Sequence, residues 1–284
     1  ALVLEAASKL MTEWNLVIGG TAYAVIEFEA YVHSAAHADP YTHSDPGQGH
    51  CGVWYFHRTG PGKGYKGGTY KGMDLACGDA EAGVHAGLLV RAIRKIAAGG
   101  GGTIVEGPSL VVDAVLAGNG KDSIVSFVNG REAADLPAAC VDGLRLEPAP
   151  LPRMQDVWAA PRVGLTRQPD CPAGDAAKKK THSAGTPSKY VTRLYRFSTD
   201  PCSLSKLRSG FAAAKYIQEG RKGPKEAATA LAPLLGLGGS AMQDYLAAVE
   251  EGYCSKDDFL VGEKITTNKL LCQLVGVCAR LNSC

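Results

Sequence analysis

Two glutamates and an arginine are the side chains of this sequence best suited to acid and base chemistry. Glu27 and Glu29 stand two residues apart in the segment VIEFEAYVH, so on a strand both carboxylates face the same side of a sheet. Two negative charges this close disfavour ionisation of at least one carboxyl unless a cation such as Arg91 compensates. A carboxylate in this setting can activate water and stabilise a sugar that becomes positively charged as its base departs. The alternative is that both glutamates lie on a solvated strand face.

Tyr31 and His43 lie downstream of Glu29 and indicate a pocket for a planar group. An aromatic ring offers a stacking wall, and an imidazole beside it offers a hydrogen-bond donor. We therefore expect Glu29 and Arg91 to carry the chemistry, with Tyr31 and His43 in a base pocket.

The histidines are concentrated in one part of the chain. Five of the seven are His33, His37, His43, His50 and His57. Together with Asp39, Asp45 and Cys51 they have the donor atoms that metals prefer. Their spacings of four, six, seven and seven residues fit no metal motif, however. We therefore expect no metal, and loop histidines that line a polar or nucleic-acid-facing pocket.

A glycine-rich loop follows the histidines. Gly62, Gly64 and Gly67 satisfy the pattern GxGxxG, but no clear strand precedes them and no helix follows, as a dinucleotide site requires. We therefore expect a flexible loop and no cofactor. Lysines and tyrosines interleave in and after this loop, which is typical of a segment that faces nucleic acid. The residues expected to contact nucleic acid are Lys66, Tyr70 and Lys71. A plain solvated hairpin is the alternative.

A sheet must position these groups. Alternating apolar and polar residues over 14–33 predict an antiparallel hairpin that turns at Gly19 and Gly20. Residues 33–72 are predicted to be mostly irregular, with one strand at 52–56. Loops of this length are usually working surfaces, so function is expected there.

Four more strands, one helix and one loop are predicted between residues 83 and 197. A strand over 83–97 is followed by the segment GPSLVVDAVLAG, which predicts a helix that Pro108 begins and Gly118 ends. Three further strands are predicted over residues 122–128, 156–165 and 190–197. A polar loop over 167–189 carries Lys178 to Lys180 and is expected to be solvated.

After Asp200 the pattern becomes helical. The predicted helices cover residues 203–217, 224–235, 240–251 and 265–281. We therefore predict an α+β domain over residues 1–200 and a helical C-terminal extension over residues 201–284.

Composition limits the class of protein. With 284 residues, of which 45% are hydrophobic and 20% charged, the chain can form one good core, or one core plus a small appended domain. The net charge of +2 differs from the strongly basic balance of non-specific nucleic-acid binders, so such a role must rest on a local patch. No run of eighteen apolar residues occurs, and no membrane association is expected. Because the chain begins at Ala1, we expect that a leading segment has been removed; the predicted compartment is intracellular, either the mitochondrion or the nucleus.

The nine cysteines show no regular pairing interval, and reduced, mostly buried thiols are expected. Only the tail clusters them, at Cys272, Cys278 and Cys284, with spacings that match neither a redox pair nor a zinc finger. A disulfide between Cys254 and this tail is the alternative.

Six segments, in order along the chain, resemble the alkyladenine (3-methyladenine) DNA glycosylase family. They are VIEFEAYVHSAAHADPYTHS (25–44), GTYKGMDLACG (68–78), GLLVRAI (87–93), EGPSLVVDAVLA (106–117), APRVGL (160–165) and LYRF (194–197). In the family, a strand that ends in Glu-Ala-Tyr is followed by a loop that ends in His-Ser.

The resemblance implies a mixed, mainly antiparallel sheet with short helices around it. It also implies hydrolysis of the N-glycosidic bond of a damaged purine, which an aromatic wedge helps to flip out of bent DNA. Glu29 matches the family's general base, and Arg91 matches an arginine that supports the carboxylate and its water. Tyr31 and His43 match residues that stack on the flipped base and hydrogen-bond it. No lysine stands where a nucleophile is expected, so the implied route is direct attack by water.

Several positions depart from the family pattern. Gly78 stands where the family has an Asn that screens normal guanine from the pocket. Tyr70 matches the wedge, but Lys71 separates it from the Gly-Met pair that follows. The spacing between Tyr31 and His43 is longer than in the family, and the helical tail lies outside the resemblance.

Two hypotheses follow. The first is a monofunctional glycosylase-like enzyme that acts on damaged purines in duplex DNA. The alternative is a catalytically silent protein of the same fold, whose partners are RNA and protein subunits of a larger assembly such as an organellar ribosome. A continuous exposed apolar face over residues 203–281 would favour a protein partner.

Overall fold

The computed structural model describes residues 2–97, 101–131, 133–139, 141–165, 190–255 and 265–281. The described helices are α1 (Leu2–Glu13), α2 (Pro108–Gly118), α3 (Ile124–Val128), α4 (Ser209–Gln218), α5 (Pro224–Leu234), α6 (Gly239–Cys254) and α7 (Asn268–Leu281). The described strands are β1 (Trp14–Ile18), β2 (Thr21–Ser34), β3 (His37–Ala38), β4 (Val53–Phe56), β5 (Met73–Ala76), β6 (His85–Lys95), β7 (Ile104–Glu106), β8 (Leu144–Pro148), β9 (Trp158–Ala160) and β10 (Arg196–Ser198). The predicted loop with Lys178 to Lys180 lies outside the described residues.

Contacts divide the chain into two compact units. The sheet unit comprises residues 1–157 and 197–199, and the helical unit comprises residues 158–196 and 200–284. The contacts thus assign residues 158–196 to the helical unit, whereas the sequence placed them in the first domain. The predicted boundary near residue 200 stays a prediction.

The sheet unit contains a mainly antiparallel sheet with the strand order β4-β5-β6-β2-β1-β8. Strands β3 and β10 pair with β2, and β7 pairs with β6. Helix α1 packs on β1 and β2, and α2 packs on β6 and β7. This arrangement, together with the helices of the other unit, confirms the predicted α+β class with a helical C-terminal extension.

The hairpin of β1 and β2 shows how the sequence starts the sheet. Ile18 pairs with Thr21, so the loop has two residues, Gly19 and Gly20. Their φ angles of 54° and 83° are both in the left-handed region, which a type I′ turn requires and glycine adopts without strain. The predicted hairpin is therefore confirmed.

The sheet curls so that its outer strands approach each other. The indole of Trp54 on β4 donates a hydrogen bond to the carbonyl of Leu144 on β8, at 3.2 Å. The N–H of Trp54 donates to the carbonyl of Leu136 at 2.8 Å. Trp54 is 1% exposed, so the curl buries a large aromatic side chain and satisfies its polar atom.

The strand predicted over residues 122–128 is wrong, because this segment contains helix α3. Ser123 accepts a hydrogen bond from the N–H of Ser126, and the hydroxyl of Ser126 accepts one from the N–H of Ser123. This reciprocal capping satisfies donors that a helix start leaves unpaired. Asn129 then ends the helix with a left-handed φ of 51°. β-branched residues suggested a strand, but the capping residues determine the local structure.

Two other predicted strands are much shorter than expected. Strand β9 ends at Ala160, directly before Pro161, which lacks the N–H that a sheet ladder needs. Of residues 190–197, only the last two belong to a strand, since β10 begins at Arg196. The carbonyl of Tyr190 accepts a hydrogen bond from the buried guanidinium of Arg162, at 2.9 Å.

The helical unit contains four described helices close to the predicted ranges, and α4 to α7 pack mainly on one another. The first helix begins at Ser209 rather than near residue 203, because Leu207 has a φ of 50° that a right-handed helix excludes. Among the described residues of this unit, Leu234 is the one large apolar side chain that is exposed. No helix in the described parts of the chain is long and apolar enough to cross a membrane.

Candidate functional site

One face of the sheet brings the predicted catalytic groups together. Glu29 on β2 lies opposite Leu89 on β6, and Leu89 lies opposite Asp74 on β5. Residues paired in this way project to the same side of a sheet, as do residues two apart on one strand. We call this side the site face, and its polar side chains are those of Glu29, Tyr31, Tyr55, Asp74 and Arg91.

Glu29 is held in a fixed position on the site face. Its Oε2 atom accepts hydrogen bonds from the hydroxyl of Tyr31 at 2.9 Å and from Nη1 of Arg91 at 3.1 Å. Nε of Arg91 donates to Oε1 of Glu27, also at 3.1 Å. Glu27 and Glu29 are 1% and 0% exposed, so the alternative of a solvated strand face is wrong. One guanidinium therefore joins both carboxylates, as the sequence suggested.

The charge of Arg91 is stabilised by this arrangement. Burial lowers the pKa of the guanidinium, but the carboxylates of Glu29 and Glu27 outweigh that effect and raise the pKa above its ordinary value. The cation is therefore permanent at any pH of interest. It offsets the cost of burying two carboxyl groups and keeps their geometry.

A second polar network surrounds Asp74. This carboxylate is 1% exposed, and its Oδ1 accepts a hydrogen bond from Nε2 of His57 at 2.7 Å. Its Oδ2 accepts one from the amide of Gln48 at 2.9 Å. Burial raises the pKa of the Asp74 carboxyl, but the His57 ring and the Gln48 amide outweigh it, so the pKa lies below its ordinary value. Asp74 is therefore an anion that fixes the His57 ring.

His43 joins this network from the loop above the sheet. Its Nε2 lies 3.0 Å from Nζ of Lys66, and its Nδ1 lies 3.3 Å from the hydroxyl of Tyr55. Because a lysine amine in its charged form can only donate, Nε2 accepts and the ring proton resides on Nδ1. The His43 and His57 rings also meet edge to face, with centroids 4.4 Å apart.

The protonation states in this second network are unusual. Burial, together with the neighbouring His57 and Lys66, lowers the pKa of His43 to about 4, although Asp74 opposes the change. Burial also lowers the pKa of Lys66, although Asp74 opposes the change. At neutral pH the network therefore contains a neutral imidazole next to an amine that releases its proton more readily than a surface lysine.

The loop that carries His43 is shaped locally. Ser44 has a φ of 50°, an uncommon conformation for a residue with a side chain, and it turns the chain directly after His43. Asp45 then accepts a hydrogen bond from the N–H of Gly47 and caps the short 3₁₀ turn Pro46–Gly49. This turn brings Gln48 onto Asp74.

Three buried polar atoms of this loop have no hydrogen-bond partner among the described residues. They are Oγ1 of Thr42, Oδ2 of Asp45 and Oε1 of Gln48. Buried polar atoms are normally paired, so these atoms give the site capacity for hydrogen bonds to a polar ligand or to water. The oxygens of Asp45 and Gln48 can accept a hydrogen bond, and the hydroxyl of Thr42 can donate or accept one.

The residues predicted to contact nucleic acid differ in solvent exposure and in their partners. Tyr70, at the end of the 3₁₀ turn Gly68–Tyr70, is 79% exposed, as a wedge residue must be before it enters DNA. Lys71 forms an ion pair with Asp113 of α2. Lys66 contacts His43 and is half-buried. Their contact with nucleic acid stays a prediction.

Gly78 explains part of the departure from the family pattern. A Cβ atom at this position would lie 2.1 Å from the carbonyl oxygen of Gln48 and 2.4 Å from that of Val84. Both neighbours are backbone atoms, so no side chain fits without moving the chain. The Asn that the resemblance implies at this position has no room here.

Tyr55, Asp74 and Gln48 were not predicted as site residues, and His57 was predicted only as one of the histidines of a polar or nucleic-acid-facing pocket. One signal was present, because Asp74 is the charged residue of the otherwise apolar strand MDLA, and a buried charge needs a partner. The partners themselves come from distant positions and could not be read from spacing. No cluster of three or more metal-binding side chains is found among the residues described by the structure.

Among the described cysteines, Cys51, Cys77, Cys202 and Cys254 are exposed, so the expectation of mostly buried thiols is wrong for these four. Cys254 and Cys272 are free, and burial raises the pKa of the Cys272 thiol to about 12. The predicted alternative of a disulfide to Cys284 falls on a residue outside the described parts of the chain.

No protein-family model matches the chain. The chain is 29% identical, over 173 residues, to "Uncharacterized protein L759" of Acanthamoeba polyphaga mimivirus. The matched region covers 57% of this chain and 77% of that protein.

Proposed function

We propose that this protein hydrolyses the N-glycosidic bond of a damaged purine nucleotide that has been flipped out of duplex DNA. The observation that carries the proposal is the position of Glu29. Its carboxylate is oriented by Tyr31 and Arg91 on a sheet face that also presents the His43 and Asp74 network. A preorganised carboxylate beside an aromatic ring suits water attack on a sugar that is losing a flat base.

The proposed roles follow from the contacts. Glu29 takes a proton from the attacking water and stabilises the positive charge that develops on the sugar. Arg91, joined to Glu27, holds the carboxylate in place. The ring of Tyr31 forms a wall for the base, and the neutral ring of His43 lines the pocket. Tyr70 enters the gap that the flipped nucleotide leaves in the stack.

A second candidate is supported by the burial of Glu29. A carboxylate that is 0% exposed and bound to Arg91 also suits a purely structural role, in which the fold binds RNA as part of a larger assembly. The described helices of the C-terminal region do not show the continuous exposed apolar face that would favour a protein partner. We therefore place the enzyme first.

The test is abasic-site formation on duplex DNA that contains hypoxanthine or ethenoadenine, at low salt. The intact chain is compared with Glu29→Gln, which keeps the shape of the side chain but removes its basicity. Glu147→Gln is the matched control, since this glutamate lies on β8 and is 46% exposed at its side chain. Base release by the intact chain and the control, and none by Glu29→Gln, is expected. No release from any of the three folded proteins would refute the enzyme and leave the structural candidate.

A further inference from the structure

Lys66 differs from the other cations around the site. Arg91 is paired with two carboxylates and Lys71 with one. Lys66, in contrast, lies within ion-pair distance of no carboxylate among the residues that the structure describes. Its Nζ contacts an imidazole nitrogen of His43 at 3.0 Å. A lysine that served only to balance charge would be expected beside an acid.

The surroundings of Lys66 fix the direction of its amine. Nδ1 of His43 faces the hydroxyl of Tyr55, and Nε2 faces Lys66, so the His43 ring is held from both edges. A neutral lysine amine in this position donates one N–H to Nε2 and keeps its lone pair for another atom. Partial burial, which lowers the pKa of Lys66, increases the fraction of that neutral form.

We infer that Lys66 forms a Schiff base with an aldehyde, and that the aldehyde is the ring-opened sugar of an abasic site in DNA. The inference rests on the proposed function, because release of a base by water leaves this sugar in the pocket. It adds a second activity to the monofunctional reaction that the sequence analysis predicted. The chemical class of the ligand is an aldehyde, whose carbonyl carbon reacts with the amine.

The step needs no oxidant or reductant. The lone pair of Nζ forms a bond to C1′ while the electrons of the C=O bond move to oxygen. A proton passes from nitrogen to that oxygen, the resulting hydroxyl takes a proton from solvent and leaves as water, and a protonated imine remains. Loss of the C2′ proton to solvent then breaks the C3′–O bond, and the 3′ phosphate departs with the bonding electrons. Water finally cleaves the imine and restores the amine.

The test is covalent trapping with sodium borohydride on duplex DNA that carries one preformed abasic site. Borohydride reduces the imine to a stable amine, so the intact chain should become attached to the DNA. Lys66→Arg should lose this adduct, since a guanidinium does not form the imine. Lys63→Arg is the matched control, because Lys63 lies in the same loop and is exposed. Peptide mapping of the trapped intact chain should place the adduct on Lys66.

Three results would overturn the inference: no trapping by the intact chain, equal trapping by Lys66→Arg, or mapping of the adduct to another amine. The mapping uses the unchanged protein, so it does not depend on how the variant folds. Because the abasic site is supplied, Glu29→Gln should still be trapped. Failure of base release and failure of trapping are therefore separate outcomes.

Discussion

Glu29 and Asp74 lie opposite the same residue, Leu89, one on each side of β6. Neighbouring strands are spaced by about 4.8 Å, so the two acidic residues are roughly 10 Å apart at their Cα atoms. Leu89 is 5% exposed and separates the two polar networks with an apolar side chain. The site thus has two separately held acidic side chains on one face, one bound by Arg91 and the other by His57.

Removal of the cation should destabilise the fold. Arg91→Ala leaves Glu27 and Glu29 buried without compensation, and we expect a loss of about 3–5 kcal/mol in the free energy of unfolding. Urea denaturation at neutral pH measures this loss. Lys95→Ala, at the exposed end of the same strand, should change stability little. A loss below about 1 kcal/mol for Arg91→Ala would show that Glu27 and Glu29 are not buried as described.

A methyl group at Gly87 should disturb the second network. The added Cβ would lie 2.7 Å from Oδ2 of Asp74, so the carboxylate must move away from Gln48 or His57. We expect Gly87→Ala to lose about 1–3 kcal/mol of stability, the usual range for overpacking. Gly64→Ala is the control, because nothing lies within 4 Å of its added Cβ. Equal stability of the two variants would contradict the contact.

His43 should titrate far below an ordinary histidine. Its folded pKa of about 4 lies below the unfolded value of 6.5, so His43 adds stability above pH 6.5 that is lost as pH falls towards 4. An NMR titration of the histidine ring signals, with His43→Asn to assign the resonance, measures the pKa directly. A midpoint near 6.5 would show that the ring is solvated and would weaken its assignment to the pocket.

The helical unit contains an acid-sensitive contact of its own. Glu250 accepts hydrogen bonds from Arg221 at 2.8 Å and from Tyr216 at 2.9 Å. The Arg221 guanidinium holds the pKa of Glu250 below its ordinary value despite partial burial. The stabilisation is therefore present above pH 4.5, the ordinary value, and is lost as pH falls through the folded pKa.

We expect Glu250→Gln to be less stable than the intact chain at pH 7 and nearly equal to it in acid, as measured by urea midpoints across pH. Glu219→Gln is the control, since Glu219 belongs to a solvated pair with Lys215. A stability difference for Glu250→Gln that does not change with pH would contradict the prediction.

Introducing the Asn that the family resemblance implies should harm the fold. Gly78→Asn places a side chain against two backbone carbonyls, and we expect a loss of about 3 kcal/mol, the upper end for overpacking. Thermal denaturation detects the change. Gly67→Asn, where an added Cβ meets nothing within 4 Å, is the control. Normal stability of Gly78→Asn would mean that the loop of Gln48 yields easily.

The sequence predicted those parts of the fold that depend on local signals. The hairpin at Gly19 and Gly20 and the four C-terminal helices follow from turn residues and from apolar spacing. The partnership of Glu29 with Arg91 was also foreseen, because charges on one strand face need compensation. In the segment of α3, β-branched residues and capping serines gave opposite signals, and the capping serines decide the structure.

The Asp74 network could not be predicted in the same way. His57 and Gln48 are 17 and 26 residues from Asp74, and they meet it only because β4 pairs with β5 and a capped turn covers both. Contacts of this kind depend on register between strands. Periodicity within one strand contains no information about that register.

Two glycines lie against the His57 and Asp74 pair. Positions 72 and 87 are glycines whose Cβ atoms would strike the His57 ring and the Asp74 carboxylate, respectively. A relative that keeps both His57 and Asp74 should therefore keep glycine at both positions, whereas a relative without this pair is free to carry larger residues there. These four positions form a compact signature by which proteins with the same site can be separated from proteins that share only the sheet.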